Sequence, residues 1–412
     1  MTSFHSSPSQ PKRFRWALIA LALLVGLMLT TTAMGAASAD RRASSVGNRG
    51  SDAVFPFAYS PLVAQMIAEV QQSDVYNFTG CLSGALAPPT CSLPSQMKTR
   101  NTYSTAYISQ ATQYVYEFMQ ARGLAVSFYD WHDSAENVSG RNVIGVLTGT
   151  TRPNEIVLIT AHLDDMPEGN LAPGADDNAS GSVGVMIAAA RIASRRFERT
   201  VRFIFFTGEE QDLCGSWAYA QDRSAKKENI VAVLNMDMIG WDGNKDGMVF
   251  LETRYATSTG YASDSAIANV FIQVVNTYGL RSALDPYIDA CNDDEVDSWS
   301  FWYVGYPSVT AIEDFDHEEL NPYYHTVGDT LATLNMPFFT NHVKAVVGTA
   351  AHLATPIPTG NNRNFLPLIL KQVFIGNKTT SLLFTPTEVA CQPSSQCPSL
   401  IPSKPVRSIC SR

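Results

Sequence analysis

Glu155–Gly181 reads EIVLITAHLDDMPEGNLAPGADDNASG, and two changes of character within it decide the fold. Glu155 to Thr160 is a β-branched apolar run that suits a strand buried on both faces, as in a parallel sheet. His162 and Asp164 close that strand at its C-terminal end, the edge where open α/β sheets bind ligands. Gly174 to Gly181 then forms a turn that buries no apolar area, and Val183, Ile187 and Ala190 follow at helical spacing. A strand, an acid-rich loop and a helix stand in sequence.

The polar residues of this stretch point to chemistry. The spacing of His162 and Asp164 lets the Asp164 carboxylate accept the second imidazole N–H, which fixes the tautomer and raises ligand basicity. Asp176 and Asp177 are adjacent acids, and their repulsion needs a cation or solvent to offset it. Taken alone, the loop fits a solvated acidic turn, calcium ligands or half of a metal site. The rest of the chain decides between these.

Working outward, Phe55–Val70 can form a helix. Tyr103–Gly123 carries Ala106, Tyr107, Ala111, Tyr114, Val115, Phe118 and Met119 at helical spacing, with Gly123 placed to stop it. Asn142–Leu147 alternates as a strand, and Gly149–Asn154 reads as the turn into the Glu155 strand. Beyond the Ser180–Arg195 helix, Thr200–Phe206 is a strand ending in Thr207-Gly208-Glu209-Glu210, and Asn229–Asn235 is another ending in Met236-Asp237-Met238. Ser263–Tyr278 reads as a helix and Pro307–Ile312 as a strand reaching Glu313, with Tyr324-His325-Thr326 in the following loop. This alternation predicts an α/β fold with a mostly parallel central β-sheet sandwiched by helices. His162, Glu209, Glu210 and Asp237 all follow strand C-termini, so parallel strands bring them together.

His162, Asp177, Glu210, Asp237 and His325 supply two imidazoles and three carboxylates, a nitrogen and oxygen set that suits zinc, with cobalt or manganese as replacements. Three carboxylates and one hydroxide balance two dications. One carboxylate must then serve both ions, and the loop position of Asp177 suits that role. Glu209 is the acid left over beside a ligand, a candidate general base for a water whose pKa the metals lower. Tyr324 is either an aromatic filler or a hydroxyl donor to the oxyanion of a tetrahedral intermediate.

Five motifs, AHLDD, GADDNASG, TGEEQDLCGS, LNMDMIG and YYHTVGDTL, occur in that order over roughly Asn142–Leu334. In them the chain resembles the M28 zinc aminopeptidases, the family of bacterial secreted leucyl-type aminopeptidases. The resemblance implies a central mixed sheet between helices and two Zn2+ ions. His162 and Asp237 would bind one, Glu210 and His325 the other, and Asp177 would bridge them. It also assigns Glu209 as general base, Asp164 as the carboxylate behind the first histidine, and Tyr324 as the residue polarising the scissile carbonyl. The implied reaction removes the N-terminal residue from peptides through a metal-bridging water activated by Glu209. The free α-amine needs an acidic anchor, for which Glu209, Glu313 and Asp314 are candidates.

The sequence departs from the family where many members read Ser-Asp-His; this chain has Val296-Asp297-Ser298. That segment lines the substrate side, so the departure bears on side-chain preference. Cys291 also lacks the close cysteine partner some members carry upstream. Three rivals remain: a glutaminyl cyclase using one zinc, a carboxypeptidase with Arg254 or Arg281 for the substrate carboxylate, and a catalytically silent binding ectodomain.

Length and charge fit a soluble acidic catalytic domain, and the leader and cysteines place it outside the cytoplasm. The 412 residues, 45% of them apolar, suffice for one large core with appendages. A net charge of −9 argues against nucleic acid as a partner. Lys12, Arg13 and Arg15 precede an apolar run from Ala17 to Leu29 and an Ala37-Ser38-Ala39 cleavage site, so residues 1–39 read as a signal peptide. The alternative is an uncleaved anchor, the only way this chain meets a membrane. Residues 40–54 read as a linker, 55–355 as the peptidase domain and 356–412 as a Pro/Ser/Cys-rich extension. Cys81 with Cys91, and the cluster of Cys391, Cys397 and Cys410, suit an oxidising compartment.

Overall fold

The computed structural model describes residues 55–134, 137–315 and 319–358. The leader, most of the linker and the tail from residue 359 onward lie outside the described residues. Among those described, eight strands form one sheet. They are β1 (Ala125–Asp133), β2 (Val138–Leu147), β3 (Arg152–His162), β4 (Arg199–Phe206), β5 (Ile230–Met236), β6 (Met248–Glu252), β7 (Asp285–Asp289) and β8 (Ser308–Glu313), in the order β1-β2-β4-β3-β5-β8-β6-β7. Strands β4, β3, β5 and β8 run parallel, as do β6 and β7. The joins β1–β2, β2–β4 and β6–β8 are antiparallel. The sheet is therefore mixed, parallel through β4-β3-β5-β8, with an antiparallel hairpin at one edge and an antiparallel-joined parallel pair, β6 and β7, at the other.

Among the described residues eight α-helices cover it: α1 (Pro61–Ala68), α2 (Gln72–Leu82), α3 (Ala106–Gln120), α4 (Ala179–Ile192), α5 (Cys214–Ala225), α6 (Tyr261–Thr277), α7 (Asp297–Tyr303) and α8 (Met336–Ala354). The period of two along each strand sorts side chains between two cores. Val157, Ile159 and Ala161 of β3, with Val201, Phe203 and Phe205 of β4, enter one core together with α4 and α8. Ile156, Leu158, Ile204 and Phe206 enter the other, which Tyr219 of α5 and Phe301 of α7 complete. Nearly every residue of α4 is buried, as its all-round apolar sequence requires.

The Phe55–Val70 helix is shorter than the sequence suggests, because the Ser60 hydroxyl caps Val63 N and Pro61 starts the helix. The turn read over Gly149–Asn154 gives way at Arg152, which already pairs with Arg199; a register shift before Ile156 absorbs the irregularity. Past the expected domain edge at residue 355, Pro356 bridges to Phe197 and Ile357 N donates to Arg196 O at 2.8 Å. Cys81 and Cys91 form a disulfide. Cys214 and Cys291 are buried, and the Cys214 thiol lies 2.8 Å from Gln211 O. No helix among the described residues is long and apolar enough to cross a membrane.

Candidate active site

Register brings the donors together. His162 ends β3 opposite Phe206, the last residue of β4, so the Thr207–Glu210 turn begins beside it. Thr160 pairs with Asn235 of β5, which sets Asp237 level with His162 two residues further on. At Gly208 the chain turns with φ +75°, and a Cβ there would lie 2.5 Å from the Trp131 ring. Only glycine fits that combination.

The result is a buried chain of donors. His162 Nε2 lies 3.2 Å from Asp237 Oδ1, 3.4 Å from Asp177 Oδ1 and 3.8 Å from Glu209 Oε2. His325 Nε2 lies 3.1 Å from both Asp177 Oδ2 and Glu210 Oε2. The two oxygens of Asp177 thus face different imidazoles. Two overlapping groups, His162 with Glu209 and Asp237, and His162 with Asp177 and Glu210, each gather their donor atoms within 4.8 Å. Glu210 Oε1 is buried with no hydrogen-bond partner, which leaves an acceptor free for a cation.

Charge follows from burial and proximity. Burial lifts Glu210 to about 8, with Asp177 adding to it. It also lifts Glu209 well above the usual carboxylate range and raises Asp237. Burial pushes Asp177 the same way, but its bonds to the two imidazoles together hold it well below the ordinary value. Burial would lower His325, yet Asp177 and Glu210 raise it to about 10. Protons on the imidazoles and acids thus balance charge where cations can replace them.

The surrounding loops hold the donors in place. Asp329 accepts from Asp176 N at 2.9 Å and from Asp177 N at 3.0 Å, which ties the His325 loop to the acid-rich loop. Asn178, whose peptide bond with Asp177 is cis, caps α4 by accepting from Gly181 N at 2.8 Å and donates to Met236 O at 3.0 Å. Asp164 departs from its expected contact. His162 Nδ1 lies 3.2 Å from the Asp164 backbone carbonyl, and the carboxylate is at 3.8 Å. That carboxylate instead accepts from Thr102 Oγ1 at 3.0 Å and from Glu209 N and Glu210 N, each at 3.4 Å.

The cleft is lined by His162, Asp177, Glu209, Asp237, Tyr324 and His325, together with Met238, Asp293, Glu295, Val296, Ile312 and Phe315. Tyr324 stacks on His325 with ring centroids 3.7 Å apart, and burial raises its hydroxyl above the ordinary value, keeping it protonated. Met238 and His325 both adopt left-handed backbone, at φ +44° and +55°, conformations that cost energy and concentrate at functional sites. Two expected α-amine anchors fall elsewhere. Glu313 is buried and accepts from Trp241 N at 2.6 Å, and the Asp314 carboxylate gathers with Asp246 and Glu319. Of the two candidate carboxylate-binding arginines, Arg254 is committed to Asp264 at 2.7 Å and Arg281 to Asp285, so neither lines the cleft.

Sequence reasoning missed Arg100, a fully buried residue. Its side chain donates to the carbonyls of Leu163 (2.7 Å), Leu82 (2.9 Å), Pro173 (3.0 Å) and Gly174 (2.8 Å). It also pairs with Asp165 at 3.2 Å. Burial lifts Asp165 to about 7 against the pull of Arg100. A single arginine among polar residues gave no periodic signal. Asp293 and Glu295 were missed as well, because the two short strands before them were not read.

Residues 142–350 match the family described as "Peptidase family M28". A probable leucine aminopeptidase of Arthroderma otae is 32% identical over 213 residues, covering 49% of this chain and 55% of that protein. The chain therefore spans little more than half the length of the curated relatives it matches. Among solved structures, the LapA aminopeptidase of Legionella pneumophila aligns with TM-score 0.60 at 21% identity, covering 74% of this chain and 78% of that one. A glutaminyl cyclase of Bacteroides thetaiotaomicron aligns with TM-score 0.53 at 17% identity, covering 69% and 97%. At these identities the structural likenesses speak to the fold alone.

Proposed function

Because the chain belongs to peptidase family M28, we propose that it is a di-zinc aminopeptidase that hydrolyses the first peptide bond of substrates with a free N-terminus. The observation that carries this reading is Asp177, whose two oxygens reach His162 at 3.4 Å and His325 at 3.1 Å. A carboxylate that already spans two imidazoles is arranged to serve two ions. His162 and Asp237 would hold one zinc and Glu210 and His325 the other, with Asp177 shared. The donors fit such ions by type, since imidazole and carboxylate suit zinc, and the partnerless Glu210 Oε1 offers a further acceptor. Bound there, zinc supplies Lewis acidity towards a carbonyl oxygen and a water molecule.

The chain's own residues then divide the work. Glu209 lines the cleft 3.8 Å from His162 Nε2 without being needed as a ligand. As general base it takes a proton from the attacking water as the new C–O bond forms. It returns that proton to the leaving amine as the C–N bond breaks. Asp164 positions this acid by holding the backbone of Glu209 and Glu210. Tyr324, protonated and stacked on His325, donates its hydroxyl to the developing oxyanion. Of the expected α-amine anchors only Glu209 lines the cleft.

The Cys81–Cys91 disulfide supports a secreted or extracytoplasmic location, in keeping with the leader read over residues 1–39. The test is metal content per chain on protein expressed from Asp40 onward, with hydrolysis of Leu-, Phe- and Lys-p-nitroanilide measured with and without chelator. Two zinc ions and chelator-sensitive release support the reading. One zinc without release turns it towards the cyclase, and no metal under zinc-replete conditions leaves a binding domain.

A further inference from the structure

The cleft carries more negative charge than its metal donors and base account for. Asp293 and Glu295 line it, and no lysine or arginine among the described residues does. Behind them, Glu252 ends β6 and Asp289 ends β7. The two are paired in parallel register and so share a face of the sheet. Glu252 is only 5% exposed, and its Oε2 has no hydrogen-bond partner. The charges that act on it are those of Asp293, Asp289 and Asp237, all negative.

The backbone holds this wall in place. Thr253 N donates to Asp289 O at 2.8 Å, Asn292 N to Thr253 O at 2.9 Å, and Glu295 N to Asp293 Oδ1 at 2.9 Å. A buried, partnerless carboxylate among like charges is costly unless a proton or a cation joins it.

We propose that this wall binds the cationic side chain of an N-terminal lysine or arginine, so that the enzyme prefers basic first residues. The inference rests on the aminopeptidase reading and names its substrate class. Geometry favours the side chain over the α-ammonium. Strand β6 lies two strands from β5, so Glu252 stands about 10 Å from the strand that carries Asp237. An α-ammonium, two bonds from the reacting carbonyl carbon, stays beside the metal donors. A lysine or arginine head reaches outward, while Met238, Val296, Ile312 and Phe315 in the same cleft accept its methylene stem.

The test compares kcat/KM of the zinc-loaded full chain for Lys- and norleucine-p-nitroanilide, which share a stem and differ in charge, with Arg and Leu as a second pair. The charged member of each pair is expected to win by about tenfold or more, and the advantage to shrink with added salt. Combining Asp293→Asn with Glu295→Gln brings the Lys-to-norleucine ratio towards one. Should that pair impair folding, Glu295→Gln alone, at an exposed position, reads the same ratio. A neutral substrate that matches or beats its charged partner overturns the proposal and leaves the aminopeptidase reading intact. A ratio that survives the substitutions, with both substrates falling together, overturns it in favour of an α-ammonium role. No release from any substrate removes both readings at once.

Discussion

Two buried charge clusters lie either side of the end of β3, and they are resolved in opposite ways. Around Asp165 the chain supplies its own cation: Arg100 pairs with that acid and satisfies its remaining donors on four backbone carbonyls. Around Asp177 it supplies two imidazoles against four acids and leaves Glu210 Oε1 without a partner. The first arrangement is closed and serves the fold, since Arg100 links the end of α2, the end of β3 and the acid-rich loop. The second leaves an acceptor open to a cation. Burial of charge is common to both, and the two differ in whether the chain's own groups satisfy it.

Substitutions can break this contrast. Asp177→Ala should have the largest effect, lowering kcat/KM by about 10⁴-fold or more. Zinc content measured by atomic absorption should fall below two per chain, while the metal-free protein loses little stability. Retention of both ions would refute the shared-carboxylate assignment. Glu209→Gln should cost about 10²- to 10⁴-fold in kcat with zinc content unchanged; lost metal would make Glu209 a ligand instead. Arg100→Met should do the reverse, lowering unfolding free energy by about 3–5 kcal/mol with or without zinc. A loss under about 1 kcal/mol in urea titration would mean that the cluster carries no structural load.

His342 sharpens the contrast as a third case, a buried titratable group with neither cation nor acid. It sits against Phe271 and Phe338, and burial lowers its pKa to about 3. The unfolded chain protonates near 6.5 and the folded chain near 3. Stability from this group is therefore intact above pH 6.5 and falls between those values, by about 1.4 kcal/mol per pH unit. His342→Phe should flatten that part of the stability profile, as followed by urea midpoints from pH 7 to 4. An unchanged slope would show that His342 titrates normally.

The donors that converge in the cleft were legible because each lies at the end of an apolar run or in a distinctive loop, so strand order alone brings them together. What the sequence hid depends on direction and distance. The spacing of His162 and Asp164 does not distinguish a carboxylate contact from a carbonyl one, and it is the carbonyl that lies at 3.2 Å. Ile312 lines the cleft, so by alternation Glu313 points to the opposite face and cannot anchor a substrate there. Strands β6 and β7 are five residues each, too short for alternation to stand out, and the acidic wall went unread with them. Arg100 reaches four carbonyls far apart in sequence, which no local pattern records.

Between His162 and His325 the chain runs through every strand from β4 to β8 and the four helices α4 to α7. The first and last donors therefore meet only when this long excursion has been threaded, the kind of non-local closure that comes late in folding. A chain that has not yet docked its final loop lacks one imidazole, so zinc bound as proposed would stabilise the finished state over its precursors. On that reading metal capture would act as a checkpoint on folding, and the time course of zinc uptake during refolding would report the arrival of the last segment.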